Sequence, residues 1–510
     1  MPTTRRSLLS LALAAALPPA FAPHLRAADV DRFALGVASG SPRPASVVLW
    51  TRLVGDDLPE RVEVQWEVAR DEAFADIAAR GSEPAERASA HSVHAQVDGL
   101  APSRWYWYRF TALGVRSKVG RTRTAPAADA MEPLRFAIAS CQRWDHGYYA
   151  AWRDVAEAPL DVVLFLGDYI YEYATPLNAG RVRRHDGGPP RTLEQYRARY
   201  AQYKSDPLLQ RAHAQAPWIT VWDDHEVEND YAAGQGQSLQ GDFLAQRAAA
   251  YQAYWEHMPF SNALRPRSPE LRIYERYDWG RLARFHALDD RQYRDRQACP
   301  RANRGGGSNT VLLHDCAALL DTKRSLLGPA QERWLADGWS SERRWNLLAQ
   351  QTLMTRLSWR DAKAEGSPGG MFWTDGWDGY PLARRRLLES AAARRIDNVI
   401  VLGGDVHANF VADLKLDFDD ARSPVIATEF CGTSITSEGM VQSRIDAALP
   451  FNPHVRHARG NERGAMHFTL DPRELRAELR VVERPLEVAS AVHTAARFVV
   501  EAGRPGAQRG

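Results

Sequence analysis

The chain has 510 residues, 45% hydrophobic and 25% charged, an ordinary balance for a globular protein and long enough for more than one domain. A formal net charge of +2 excludes bulk electrostatic capture of nucleic acid or of an anionic membrane surface. Local basic runs such as Arg181-Val-Arg-Arg184 and Arg384-Arg-Arg386 read as solvated faces.

At the start, Arg5-Arg6 precede an apolar stretch, Leu8 to Leu17, that is shorter than the roughly 20 residues a bilayer span needs. Paired arginines before a short apolar region read as a twin-arginine export signal over residues 1–28. A Sec signal or an uncleaved anchor is the alternative. The expected partner is the twin-arginine translocase, the expected location periplasmic or secreted, and no stable membrane insertion is expected.

From Phe33 to Thr124 the pattern is all β. Val47 to Trp50, Arg61 to Val68, His91 to Val97 and Trp105 to Phe110 alternate or run apolar, with Pro, Gly and Asp between them. Asp98-Gly-Leu-Ala-Pro-Ser103 followed by an aromatic strand resembles a fibronectin type III module, expected over residues 29–125. Ala125 to Ala130 reads as a linker.

Beyond it, strand-like runs alternate with helix-length segments, expected to form one α/β domain over residues 131–503. Helices are predicted over Leu193 to Tyr203, Phe243 to His257 and Thr310 to Arg324, and from Gly328 with proline in the first turn. Ala465 to Glu483 reads as a closing β-pair, and the residues after Gly503 as a polar tail. Four cysteines are too few for a disulfide scaffold. Cys299 and Cys316 bracket a Gly-rich loop and are the expected bridge, whereas Cys431 reads as a buried thiol.

The organising stretch is Val162 to Leu166 followed by Gly167, Asp168 and Tyr171. A short apolar strand, a permissive glycine and then a carboxylate and a phenol place chemistry at a sheet rim. The same grammar recurs. Leu134 to Ala139 ends in Ser140-Cys141-Gln142, and Trp218 to Trp222 in Asp223-Asp224-His225-Glu226 with Asn229 beyond. Leu282 to Leu288 ends in Asp289-Asp290-Arg291, and Val399 to Leu402 in Gly403-Gly404-Asp405-Val406-His407. Oxygen donors suit hard cations, and imidazole suits zinc, iron or manganese. Two cations sharing Asp168 would clamp a phosphate and activate water for in-line attack.

Gly-Asp-x-x-Tyr, Asp-Asp-His-Glu and Gly-Asp-Val-His, with Ser140-Cys141-Gln142, Arg291-Gln-Tyr-Arg294, Leu327 to Leu335, Trp377 to Pro381 and Gly432 to Ser437, resemble the PhoD-like alkaline phosphatases. The resemblance covers nearly the whole chain. It implies a metallophosphatase-type two-sheet α/β sandwich behind a small all-β fibronectin III-like sandwich. It further implies a secreted phosphohydrolase acting on phosphate mono- and diesters through a metal-activated hydroxide or oxide. Iron(III) would be held by Cys141, Asp168, Tyr171 and His407, and calcium by Asp168, Asp224, Asn229 and Asp405. His225 is the candidate proton donor or phosphoryl contact, and Arg291 a fork for phosphate oxygens or a helix-surface ion pair. Asp378 reads as a turn residue. A phospholipase D-type diesterase and a catalytically silent exported binding protein are the competing functions.

Overall fold

Val162–Leu166 is buried at all five positions, which a strand achieves only inside a sheet covered on both faces. The computed structural model describes residues 31–177, 179–239, 241–266 and 269–510, so the export signal read over residues 1–28 lies outside the described residues. Leu134–Ala139 and Trp218–Val221 flank Val162–Leu166 in parallel, with Leu164 opposite both Ile138 and Ile219. Antiparallel Gly464–Leu470 joins Leu134–Ala139, and Glu474–Val482, Val492–Glu501 and Arg504–Arg509 extend that side. The tail expected after Gly503 is therefore an edge strand. Its Gly506 amide also donates to Thr428 Oγ1 at 2.8 Å.

A second sheet runs Glu275–Trp279, Ala283–Ala287, Trp345–Ala349, Val399–Gly403, Val425–Cys431, Asn409–Lys415, Val455–Arg459. Strand periodicity sorts its side chains. Ile400 and Leu402 enter the core shared with Phe136 and Phe468 of the first sheet, while Val399 and Val401 face Leu335 and Leu387 of helices Gly328–Gly338 and Pro381–Ala393. Phe136 stacks on Phe468 at 4.7 Å and meets Phe285 edge-on at 5.5 Å, closing the sandwich.

Helix Phe243–His257 has the expected bounds, capped where Asp242 accepts from the Ala245 amide at 3.0 Å. Leu193–Lys204 opens on a Thr192/Gln195 capping box. Just past that helix Pro207 starts another, Pro207–His213, with Asp206 as its cap. The helix expected over Thr310 to Arg324 is absent. Thr310–Leu312 pairs instead with Met371–Trp373, and two 3-10 turns follow. The expected Cys299–Cys316 disulfide is present there, and its tether, with the packing of Ala298, Cys316 and Leu319, replaces a continuous helix.

The N-terminal segment folds as a sandwich. Val62, Val64 and Val68 of Arg61–Ala69 face Val47, Leu49 and Val93 from the opposing sheet. That opposing sheet, Val37–Arg43, Ser46–Arg52 and Ser92–Asp98, continues the large sheet: Gly40 registers with Trp218 in parallel. Ala125, in the expected linker, donates to the Arg43 carbonyl at 3.1 Å, and the Arg281 amide donates to Ala130 at 2.7 Å, so the connection is pinned.

Gly40 allows this junction. A Cβ there would lie 2.7 Å from Pro259 Cγ and 2.8 Å from the carbonyls of Pro259 and Trp218. Gly40→Ala is expected to destabilise the protein by about 1–3 kcal/mol, the usual range for overpacking. The measurement is the urea midpoint at unchanged slope, and an unmoved midpoint would show that the strands do not meet this closely.

Candidate metal centre

The strand ends converge where the two sheets meet, and their backbones are unusual. Cys141, Asp168, Asp405 and His407 have φ values of 59°, 59°, 66° and 52°, a left-handed region that non-glycine residues rarely occupy. Such conformations concentrate at functional sites. Gly167 has φ +107°, and a Cβ there would lie 2.4 Å from Asp223 Cβ, so only glycine lets these two strand ends approach. Glu226 clasps them, accepting from the amides of Asp168 at 3.1 Å, Tyr169 at 2.5 Å and Asp223 at 2.8 Å.

Two donor groups share Asp168. Ligand atoms of Cys141, Asp168 and His407 lie within 4.8 Å of one another, and so do those of Asp168, Asp224 and His225. Tyr171 completes the first, its hydroxyl 2.7 Å from Asp168 Oδ2, 3.1 Å from His407 Nε2 and 2.8 Å from the Ser437 hydroxyl. His407 Nδ1 donates to the Glu438 carbonyl at 2.7 Å, which leaves Nε2 turned to Tyr171 as a ligand nitrogen. A phenol has one proton, yet both Asp168 and His407 face it.

In the second group, His225 Nδ1 is held by Glu172 Oε2 at 2.7 Å, and Glu172 Oε1 takes the Asn229 amide at 2.9 Å. Asn229 is beside this group, with Oδ1 accepting from the Tyr173 hydroxyl at 2.8 Å. Among the described residues Asp168 Oδ1 and Asp224 Oδ1 are buried without a hydrogen-bond partner, although Arg291 Nη2 lies 3.5 Å from the second. Buried acceptors of that kind are costly unless a cation meets them.

The surrounding charge is lopsided. Burial foremost, then the carboxylates of Asp224, Asp375 and Asp168, push Asp405 up to about 8 against the pull of Arg291. Burial raises Asp223 too, again against Arg291. Asp224 moves the other way: burial opposes it, yet Arg291 and His225 hold it below the usual carboxylate range, so it is Asp405 and Asp223 whose charge a bound cation would favour. The donor set fits metal.

Residues 136–479 match the family described as PhoD-like phosphatase, and residues 20–126 match its N-terminal domain. The chain belongs to the PhoD-like phosphatases. It is 42% identical over 494 residues to alkaline phosphatase D of Bacillus subtilis (strain 168), covering 94% of this chain and 82% of that protein. A solved structure of PhoD superposes with a TM-score of 0.88 at 41% identity, covering 94% of this chain and 92% of that one. Purple acid phosphatase PPD1 from yellow lupin seeds, at 12% identity and a TM-score of 0.53 over 91% of this chain and 74% of that one, shares the fold. The two-sheet architecture, the phosphohydrolase activity and the alkaline phosphatase class expected from the sequence all stand.

Arg291 of this PhoD-like phosphatase is neither a surface ion pair nor a free fork. It is 1% exposed, its Nε donates to Asp223 and its Nη1 to Asp375 at 2.7 Å, and Nη2 lies 3.5 Å from Asp224 and 3.9 Å from Asp405. Its Nε and Nη1 are held by carboxylates and Nη2 lies near two more, so it organises the acidic wall. Asp378 is the expected structural residue, accepting from the Leu357 amide at 2.9 Å and Arg384 at 2.7 Å. Glu226, Arg294 and Ser437 belong to the motifs but had no separate role, and Glu172 directly follows Tyr171. Asp375, bound by Arg291 and by Arg294 at 2.6 Å, carried no sequence signal.

Proposed function

We propose that this PhoD-like phosphatase hydrolyses phosphate mono- and diesters at a centre holding iron(III) between Cys141, Asp168, Tyr171 and His407. Calcium belongs with Asp168, Asp224, Asn229 and Asp405. The observation that carries the reading is the pair of donor groups sharing Asp168, whose buried Oδ1 has no hydrogen-bond partner among the described residues. Thiolate and phenolate bind only when deprotonated, which favours a highly charged ion, and an all-oxygen shell suits calcium. The chemistry supplied when such ions are bound is Lewis-acid polarisation of phosphoryl oxygens and acidification of water.

The protein's own part is orientation and proton control. Glu172 fixes the His225 ring through Nδ1, leaving Nε2 to hold a proton for the departing ester oxygen. Burial alone would lower His225, but Glu172, Asp224 and Asp168 outweigh it and raise it well above the usual imidazole value. Ser437 fixes the Tyr171 hydroxyl, and Thr352 donates to Asp405 Oδ2 at 2.5 Å.

Purified protein is expected to contain iron and calcium, to release phosphate from monoesters and cleave diesters, and to show a phenolate band in the visible that Tyr171→Phe removes. A colourless, fully active preparation holding only zinc or magnesium would overturn the iron assignment.

The chain divides, on this reading, into an export signal over 1–28, the β sandwich over 29–125 and the catalytic domain over 131–503, its sheet continued by the edge strand to Arg509. Changing Arg5 and Arg6 to lysine is expected to strand the precursor in the cytoplasm. Undiminished periplasmic yield in cells lacking the twin-arginine translocase would refute that route. Among the described residues no helix is long and apolar enough to cross a membrane.

A further inference from the structure

Asp405 has a second neighbourhood. With Val406 it lines a cavity of about 360 Å³, within the roughly 300–1,000 Å³ of small-molecule sites. Trp359, Trp373 and Leu353, from the segment after Trp345–Ala349, line it together with Thr310 and Thr355. Met440 and Val441 face them from the loop that begins at Glu438, whose carbonyl holds His407. One loop thus both orients a metal-ligand histidine and walls the cavity.

Apolar burial does not explain Val441, which is 68% exposed at the rim. Beside it the Arg444 guanidinium lies 4.3 Å from the Trp359 ring centroid. No acid among the described residues pairs with Arg444. The other carboxylate lining the cavity, Asp378, is already committed to the Leu357 amide and Arg384. Trp359 and Trp373 thus line the cavity, and Arg444 at its edge is a cation that no acid among the described residues neutralises.

We propose that this cavity receives the alcohol portion of the substrate and selects phosphate esters of flat, ring-bearing alcohols that carry a second anionic group. The inference rests on the reading that Asp405 belongs to the phosphoryl site. With the phosphoryl group there, the ester oxygen points its substituent past Val406 and between the tryptophans, where a ring stacks. A carboxylate or phosphate on that ring reaches Arg444.

The test uses the metal-loaded full-length protein and three monoesters read by phosphate release: methyl phosphate, benzyl phosphate and 4-carboxybenzyl phosphate. Trp359→Ala is expected to lower kcat/KM for benzyl phosphate by about 10-fold or more, the scale of losing an apolar pocket contact, with a much smaller change for methyl phosphate. Arg444→Gln should erase the preference for the carboxylated ring over the plain one. Val441→Glu, at the exposed rim where folding is not at stake, should reverse that preference. Equal losses on benzyl and methyl phosphate in Trp359→Ala, with the ring preference unmoved in Val441→Glu, would overturn the subsite and leave the phosphatase reading intact. A wild-type enzyme that hydrolyses none of the three would remove both.

Discussion

Asp168→Asn is expected to strip metal and abolish turnover together. Asp168 is the one carboxylate in both donor groups, and its buried Oδ1 has no hydrogen-bond partner among the described residues. The amide removes the charge and places a donor where an acceptor is required. The loss should exceed the about 10–100-fold that follows when only a supporting partner of a ligand is removed. Asp405→Asn should move metal content and activity in the same direction. Asp378→Asn provides the control, because that carboxylate serves an amide and Arg384 outside both groups: stability should fall while metal content holds. Metal analysis beside steady-state rates decides the matter. An Asp168→Asn protein with full metal content would dissolve the shared-ligand assignment.

His225→Ala should behave differently, slowing turnover by about 10²–10⁴-fold, the contribution of a positioned proton donor, with the metals retained. The expectation needs checking because His225 stands within ligand distance of Asp168 and Asp224. Its Nδ1 is taken by Glu172, so only Nε2 is left to act. Glu172→Gln keeps a hydrogen-bond acceptor but loses a charge that raises the imidazole pKa, so its rate should lie between wild type and His225→Ala. If the histidine variant loses metal while Asp168→Asn keeps it, ligand and proton donor have been interchanged.

The metal-facing strand ends were legible because a strand buried on both faces must be apolar without interruption. Val162–Leu166 and Val399–Gly403 then stop abruptly at glycine and aspartate, and local sequence carries the whole message. What the residues do with one another was less legible. Arg291 was open as a phosphate fork because its partner Asp375 is 84 residues away, and no local pattern joins them. The stretch from Thr310 had helical length, yet a pairing with Met371–Trp373 and a disulfide decided its path, both being tertiary constraints. Arg504–Arg509 looked like a tail because it has no fully buried position, as an edge strand need not.

The strand junction at Gly40 gives the β sandwich a structural duty toward the catalytic sheet. Trp218–Val221 ends in Asp223 and Asp224, and its outer neighbour is Val37–Arg43. Trp50 donates to the Glu256 carbonyl at 3.0 Å and lies under the Lys204 ammonium, while His94 stacks on Trp255 at 4.1 Å. A gene shortened to begin near residue 131 would uncover the hydrogen-bonding edge of Trp218–Val221, the strand that itself leads into Asp224. It would also bare the aromatic faces of the helix beside it, a surface prone to pair with other chains. The smallest soluble catalytic unit therefore begins before Val37, and biotechnological trimming of this phosphatase has to proceed from elsewhere in the chain.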